Sequence, residues 1–321
     1  SSGEYTQGAG SVSMLICENP SIISFNGSWG VSTKGIGDFF KPRRLFKKSN
    51  ILMEAARLLG KEVSSSEAEK LLHKADSKFW SDSNDFVEVY KEEPIFEGQF
   101  SNESYKERVY EAIEDFNEQN QRDILSDWEN IIFHLPYAYH GRRMIVNKWM
   151  DWMKENNQLE KIYSEIGKPN SSEDKDWIKK VSKSDIYKSF IEDKISPGEK
   201  ASSEIGNMYT ASIFMSLISS LVEAFEKDRE LENKKIGFIS YGSGSKAKIF
   251  EGTIQKDWII KTKPIKLFEN LDNRKKVSVD IYEKLHKRKI SSNINNNDGI
   301  IKLSKISNDE FTEGLRNYIK Y

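Results

Sequence analysis

Short apolar runs that end at glycine or proline alternate along this chain with stretches of helical periodicity, a pattern that predicts an α/β fold. Residues 8–16 are predicted to form a glycine-flanked strand, and residues 20–25 a second strand that pairs with it in antiparallel fashion. A strand at 131–133 is followed by His134 and then by Pro136, which forbids its continuation. Further strands are predicted at 236–241, 247–254 and 299–305, the first two as a hairpin.

Helical spacing is clearest where apolar residues recur every three or four positions. Tyr105, Val109, Ile113 and Phe116 form one stripe, typical of core packing, on a helix that we expect to begin at an N-cap near Ser104. The most apolar helix is predicted from Asn207, as its N-cap, through Phe225. Other helices are expected around 51–59, 66–72, 144–157 and 279–288.

Charged residues make up 31% of the chain and crowd into a few segments. Residues 43–93 and 158–200 are rich in Lys, Glu and Ser, and the simplest interpretation is two solvated excursions on the surface. Residues 123–130 are predicted to be a polar linker into the strand that precedes His134.

Composition excludes several classes of partner. The chain has 321 residues and a net charge of −1, from 49 basic and 50 acidic residues. This balance argues against a nucleic-acid or membrane-surface binder, and no apolar run approaches the roughly 20 residues that cross a bilayer. The single cysteine, Cys17, is expected to be buried and inert at the end of the first strand, and one cysteine favours the reducing cytoplasm. The chain begins at Ser1 without methionine or a secretory leader, and we expect that a segment upstream is missing.

Three apolar segments each deliver a polar residue at a glycine- or proline-marked break: His134, Asn207 and Ser243. Ligands in α/β proteins bind beyond strand ends and at helix N-termini, so these residues favour a shared pocket. Asn207 could hold a carbonyl oxygen, and the turn at 242–244 could offer N–H groups to an oxyanion or phosphate. Ser243 lacks the Gly-x-Ser-x-Gly setting of a nucleophile, and no histidine spacing indicates a metal site.

Five motifs and one later run carry a resemblance to a known family. The five motifs are Thr6-Gln7-Gly8-Ala9-Gly10-Ser11-Val12, Asp38-Phe39-Phe40-Lys41-Pro42, Phe133-His134-Leu135-Pro136-Tyr137, Gly206-Asn207-Met208-Tyr209-Thr210 and Phe238-Ile239-Ser240-Tyr241-Gly242-Ser243-Gly244. Together they closely resemble 3-hydroxy-3-methylglutaryl-CoA synthases. The later run, Lys276-Val277-Ser278-Val279-Asp280-Ile281-Tyr282, resembles the bacterial branch of that family.

The resemblance implies a thiolase-like fold of two similar halves, layered α-β-α-β-α. Residues 1–42 would end the N-terminal half, and 94–321 would form the C-terminal half, with 43–93 and about 158–200 as charged insertions. The family condenses acetyl-CoA with acetoacetyl-CoA to give HMG-CoA and free CoA in the mevalonate pathway. The resemblance implies these two CoA thioesters as partners, together with either a second copy in a homodimer or a missing N-terminal half, and neither a cofactor nor a metal ion.

The resemblance also assigns roles to individual residues. His134 matches the histidine that polarises the acetoacetyl group, and Asp38 an aspartate that supports the acetyl and condensation steps. Arg143 falls where a lysine helps to hold CoA. The remaining substrate-contacting positions are matched by Thr6, Ser101, Asn207 and Ser243.

The chain departs from the family pattern at its chemical centre. The family's nucleophilic cysteine and general-base glutamate both lie upstream of the motif at Thr6, so this chain alone is expected to be inactive. Tyr139 stands where a CoA-contacting lysine is common and Glu97 where aspartate is usual, while Arg142 and Arg143 could pair with phosphates. Two alternatives remain: a polyketide-type synthase acting on carrier-protein-bound acyl groups, and a non-catalytic subunit that pairs with a separate nucleophile-bearing chain.

Overall fold

The computed structural model describes residues 6–81, 84–90, 94–171, 174–290, 301–309 and 311–320. Contacts divide the chain into two units, Ser1–Leu267 and Phe268–Tyr321. The strands are β1 (Ile23–Thr33), β2 (Phe39–Phe40), β3 (Arg43–Lys47), β4 (Phe86–Tyr90), β5 (Ile95–Phe96), β6 (Trp128–Phe133), β7 (Lys235–Gly242), β8 (Lys246–Ile254), β9 (Ile301–Ile306) and β10 (Arg316–Lys320).

Helices outnumber strands in the described residues. They are α1 (Lys48–Leu58), α2 (Ser65–Lys74), α3 (Lys78–Ser81), α4 (Gly98–Asn120), α5 (Ile124–Asp127), α6 (His140–Glu155), α7 (Leu159–Ile166), α8 (Lys175–Val181), α9 (Asp185–Lys194), α10 (Ser196–Ile205), α11 (Ala211–Glu226), α12 (Trp258–Thr262), α13 (Leu267–Asp272) and α14 (Val279–His286). Nowhere in the described residues is a helix both long and apolar enough to cross a membrane.

A four-stranded mixed sheet with the order β1-β8-β7-β6 forms the centre of the first unit. β7 and β8 form the predicted antiparallel hairpin, and β1 pairs with β8 from Ile23↔Ile254 to Thr33↔Lys246. β6 lies parallel to β7, with Ile131 opposite Gly237 and Phe133 opposite Ile239. The carboxyl ends of β6 and β7 therefore leave the sheet at the same edge.

Both faces of this sheet are covered by helices, because successive side chains of a strand point to opposite faces. On one face Ile131, Phe133 and Ile239 share a core with residues of α4 and α6. On the other face Ile132, Phe238 and residues of α11 form a second core. The sheet is thus the middle layer between helices, in agreement with the predicted α/β fold class.

The long helix α4 confirms the predicted apolar stripe but not its predicted start. Tyr105, Val109, Ile113 and Phe116 are all buried. The helix begins before Ser104, because the carboxylate of Glu97 caps it by accepting hydrogen bonds from Gln99 N (3.1 Å) and Phe100 N (2.5 Å).

The first two predicted strands do not form as expected. Gln7 makes an isolated parallel bridge with Asn207, but residues 10–17 have no regular structure. The side chains of Leu15 and Ile16 are 91% and 90% exposed, and Cys17 is exposed rather than buried. The strand that we placed at 20–25 begins at Ile23 and pairs with β8. A backbone without a neighbouring strand cannot complete a ladder, whatever its apolar content.

The predicted polar linker at 123–130 is also wrong. Asp123 caps the short helix α5, and Ile124, Leu125 and Trp128 are buried. The Trp128 indole donates to the Glu251 carboxylate at 2.8 Å. Its ring lies so close to β7 that a Cβ on Gly237 would be 1.7 Å from it, which explains the glycine in that strand.

The two charged segments differ in structure. Residues 43–90 form the antiparallel β3–β4 pair and helices α1–α3, in which Ala56 and Ala68 are the buried apolar residues among those described. Residues 159–205 form α7–α10 and contribute Ile162, Trp177, Val181, Tyr187, Ile191 and Ile195 to the core. The surface interpretation of 158–200 is therefore wrong for its apolar side chains, whereas the domain boundaries stay predictions.

Most remaining elements follow the prediction with shifted ends. α6 is confirmed, and α11 begins at Ala211 rather than at Asn207. In the second unit, α14 is capped by Ser278, whose hydroxyl accepts from Ile281 N. β9 confirms the last predicted strand from Ile301 onward and pairs with β10, while residues 299 and 300 lie outside the described residues.

Candidate functional site

A cavity of about 520 Å³ lies at the edge of the sheet where β6 and β7 end. It brings together five of the residues singled out from sequence, which come from separate parts of the chain: Thr6, Ser101, His134, Asn207 and Ser243. Asp38 and Arg143 do not line it. The predicted shared pocket is present in the structure.

His134 enters this cavity from the end of β6 on a firmly held backbone. Its N–H donates to Ile239 O of β7 at 2.9 Å, and its carbonyl accepts from the Tyr105 hydroxyl at 3.0 Å. No described residue hydrogen-bonds to its ring. Burial lowers the pKa of His134 to about 4, so the imidazole is neutral near pH 7 and offers one N–H donor and one acceptor nitrogen.

Asn207 is placed by a bridge to the beginning of the chain rather than by the helix that follows it. Gly8 N donates to Asn207 O at 2.8 Å, and Asn207 N donates to Thr6 O at 2.7 Å. A Cβ on Gly8 would lie 2.2 Å from Ile205 O, so this approach requires glycine. The Asn207 side-chain oxygen accepts from Tyr209 N at 2.8 Å, which leaves its NH₂ group as the donor for a ligand. The expected N-cap role is wrong.

Ser243 is presented by a turn that the buried carboxylate of Asp38 holds in place. Asp38 accepts from the Tyr241 hydroxyl at 2.5 Å and from Gly244 N at 2.9 Å. Burial, and then the bond to Asp38, raise the pKa of the Tyr241 phenol, which stays protonated as the donor. Because Gly244 N is already used by Asp38, this N–H is not available to the oxyanion or phosphate that we expected the turn to bind.

The arginines after His134 lie apart from the cavity. Arg142 pairs with the buried Glu199, its Nε 2.9 Å from the carboxylate, and also donates to the Ser196 hydroxyl at 3.2 Å. It lies over the Tyr139 ring, 4.4 Å from the centroid. The expectation that Arg142 is available for phosphates is therefore wrong. Arg143 is exposed, with its guanidinium 5.7 Å from the Tyr137 ring centroid.

His140 lines the same cavity and was missed from sequence. It is fully buried at the first position of α6, between the rings of Tyr105 and Tyr137. Its ring centroid lies 4.4 Å from that of Tyr105 and 4.6 Å from that of Tyr137, both in T-shaped contacts. Both ring nitrogens lack a hydrogen-bond partner among the described residues. Burial, with smaller contributions from His134 and Arg143, lowers the pKa of His140 to about 3. A second histidine soon after the strand-end His134 was the one signal that the sequence offered.

A second cavity, of about 580 Å³, lies between α4, α5 and α6. Its charged side chains are partly paired with one another, as in the ion pair between Lys148 and Glu114 at 2.6 Å. None of the candidate site residues from the sequence lines it, so it is not the better candidate for chemistry. Among the described residues there is also no group of His, Cys, Asp or Glu placed to hold a metal ion.

Solved structures with the same architecture define the fold class. MvaS in complex with 3-hydroxy-3-methylglutaryl coenzyme A superposes with a TM-score of 0.66 at 20% identity, covering 100% of this chain and 63% of that chain. The curacin-pathway HMG synthase in complex with holo donor-ACP gives a TM-score of 0.59 at 14% identity, covering 95% and 59%. The fold is the thiolase-like α/β fold that the resemblance implied.

Sequence comparison identifies the family within that class. The family described as hydroxymethylglutaryl-coenzyme A synthase C terminal matches residues 77–308, and the chain belongs to this family. The hydroxymethylglutaryl-CoA synthase of Haloferax volcanii is 24% identical over 295 residues, which cover 88% of this chain and 56% of that protein. The chain thus spans a little over half the length of this relative.

Proposed function

We propose that this chain supplies the acceptor-binding part of an HMG-CoA synthase, which condenses acetyl-CoA with acetoacetyl-CoA to give HMG-CoA and free CoA in the mevalonate pathway. The observation that carries the proposal is the neutral imidazole of His134 in a cavity that it shares with Asn207 and Ser243. Its setting suits a group that must bind a ketone oxygen and later give it a proton.

His134 would donate its ring N–H to the 3-oxo oxygen of the acetoacetyl group. When the acetyl carbanion attacks carbon 3, the carbonyl π pair moves onto that oxygen, which takes the N–H proton of His134 and becomes the tertiary hydroxyl. The other ring nitrogen of His134 takes a proton from solvent in the same step, so the imidazole stays neutral. The Asn207 NH₂ group would hold the thioester carbonyl, and Thr6, Ser101 and Ser243 would contact the rest of the acyl group. Asp38 would act through Tyr241 and the Ser243 turn, and exposed Arg143 would pair with phosphates of CoA.

The chain by itself is proposed to be inactive. The condensation needs a thiolate to carry the acetyl group and a base to remove its methyl proton. The single cysteine of the sequence, Cys17, is exposed and does not line the cavity. We propose that a nucleophile-bearing half, joined to this chain or separate from it, completes a cytoplasmic, dimeric enzyme.

Calorimetric titration of the chain with acetoacetyl-CoA tests the proposal without requiring turnover. We expect His134→Ala to weaken binding about tenfold or more through loss of a buried hydrogen bond, about 1.4 kcal/mol. The control is His73→Ala, which changes an exposed histidine of α2 and should bind like the wild type. Equal affinity of the wild type and the His134 variant would contradict the role given to His134.

The activity assay measures free CoA released from acetyl-CoA and acetoacetyl-CoA after a nucleophile-bearing half is added. We expect release to be absent from the chain alone, restored by the complementing half, and abolished for the most part by His134→Ala. Normal turnover by the complemented His134 variant would overturn the proposed mechanism.

A carrier-protein substrate is the second candidate. It is favoured by the ion pair of Arg142 with Glu199, which leaves fewer cations for the phosphates of CoA, and by the likeness to a synthase crystallised with donor-ACP. Comparing acetoacetyl-CoA with acetoacetyl carrier protein in the same titration distinguishes the two. Tighter binding of the carrier-protein form by tenfold or more would establish the alternative.

A further inference from the structure

The starting observation is the unsatisfied imidazole of His140 in the wall of the cavity. His140 is fully buried, yet neither ring nitrogen has a hydrogen-bond partner in the part of the chain that the structure describes. Buried polar atoms in folded proteins are nearly always paired, because an unpaired donor or acceptor costs about 1–3 kcal/mol. A polar group in the wall of a cavity that has no protein partner is matched to a ligand that supplies one.

The backbone fixes where this imidazole lies. The loop after His134 turns through Tyr139, which has a positive φ of 65°, directly into α6. Gly141 packs against the Phe133 ring so tightly that a Cβ there would lie 2.6 Å from it. This contact holds the first turn of α6 against the end of β6, and it therefore holds His140 in the cavity beside His134.

Two neighbouring hydroxyl groups are already committed to partners within the protein. The Tyr105 hydroxyl donates to His134 O, and the Tyr241 hydroxyl donates to Asp38. The Tyr105 and Tyr137 rings flank the His140 ring. His140 is therefore a polar residue in the cavity wall that retains hydrogen-bonding capacity for a ligand oxygen.

Depth decides which part of an acyl chain would reach this residue. His134 is partly exposed, whereas His140 is fully buried. The bulky carrier of a thioester must stay outside the cavity, so the free end of the acyl chain points inward. If His134 holds the 3-oxo oxygen, the atoms beyond carbon 3 lie toward His140. This step rests on the proposed function.

We infer that His140 is a specificity-determining residue that binds an oxygen on the acyl chain beyond the 3-oxo group. His140 would therefore favour a 3-oxoacyl thioester that carries a hydroxyl or carbonyl oxygen beyond carbon 3 over one that carries a methyl group there. Neutral imidazole suits such an uncharged oxygen, because it can donate to a carbonyl or both donate to and accept from a hydroxyl.

Two thioesters of the same size test the inference: 4-hydroxy-3-oxobutyryl-CoA and 3-oxopentanoyl-CoA, which differ by a hydroxyl in place of a methyl group. Calorimetric titration of the whole chain should show about tenfold tighter binding of the hydroxyl compound. His140→Leu should abolish this preference, and His140→Gln, which keeps an amide donor and acceptor, should retain part of it. Histidine ring ¹⁵N shifts should report the bond at His140 in the wild type.

Three outcomes would overturn the inference. They are equal wild-type affinity for the two compounds, an undiminished preference in His140→Leu, or a His140→Leu chain that is more stable to heat with its preference unchanged. The last would show that the imidazole has no ligand to bind. The proposed function fails separately, if none of the 3-oxoacyl thioesters binds or if His134→Ala does not weaken the binding of acetoacetyl-CoA.

Discussion

Residues 43–90 and 159–205 resemble each other in charge content and differ in what they contribute to the fold. The second segment places large side chains such as Ile162, Trp177 and Tyr187 in the main core, where the Tyr187 ring lies 4.9 Å from that of Trp149. In the first segment Leu58 and Leu59 are 86% and 78% exposed. Overall charge therefore does not distinguish a peripheral segment from a structural one. The burial of its large apolar side chains does.

The largest expected effect is on stability, from matched truncations in the two segments. Ile162→Ala should lower the free energy of unfolding by about 2–5 kcal/mol, because the side chain is fully buried and leaves a cavity. Leu58→Ala, at an exposed position of α1, should change it by no more than about 0.5 kcal/mol. Urea titration followed by tryptophan fluorescence measures both. Equal losses would show that the first segment is also structural.

Acid sensitivity should come from the side of the molecule that holds α6. Below pH 6.5 the unfolded chain protonates its histidines, whereas the folded chain keeps His134 neutral to about pH 4 and His140 to about pH 3. The unfolded state then binds more protons than the folded state. The free energy of unfolding therefore decreases as the pH is lowered, by on the order of a few kcal/mol at pH 4.

The matched variant is His140→Leu, which should flatten this acid dependence without removing it, since His134 still contributes. Unfolding free energies measured from pH 7 to pH 4 in both proteins give the difference. The His73→Ala protein should follow the wild-type curve, because His73 is exposed on α2. Parallel curves for wild type and His140→Leu would mean that His140 takes up its proton at the same pH in the folded and unfolded chains.

The smallest expected effect follows removal of the first segment. Phe40 and Ile95 are directly paired in the β2–β5 ladder, so residues 43–92 can be replaced by a short glycine-serine linker. Binding of acetoacetyl-CoA should change by less than about threefold, because the described residues of this segment do not line the cavity. A loss of binding with β2 and β5 intact would show that the segment reaches the ligand.

Sequence patterns predicted the elements whose apolar residues recur with a clear strand or helix period. The β7–β8 hairpin, α6 and the stripe on α4 follow from alternation or from helical spacing. Residues 8–16 have the composition of a strand, but pairing is a property of the neighbouring chain, and Gln7 alone makes a bridge. The same limitation explains α5, whose polar residues concealed the buried Ile124 and Leu125.

The site was predictable to the extent that motifs carry it. Thr6, Ser101, His134, Asn207 and Ser243 meet in one cavity, although the breaks in pattern alone could not show that they do. The buried position of Asp38 behind Tyr241 could not be predicted, because it depends on a contact between residues far apart in sequence. His140 had no motif, and its importance lies in the partners that it lacks.

The ladder between Phe39 and Phe96 has a consequence for how this chain can vary. Its two rings lie 5.4 Å apart and both border the cavity. Closing a loop costs conformational entropy that grows only with the logarithm of its length, about 0.6 kcal/mol for each doubling. Insertions or deletions between these two phenylalanines should therefore be nearly neutral for folding, provided that the aromatic pair that closes the loop is kept.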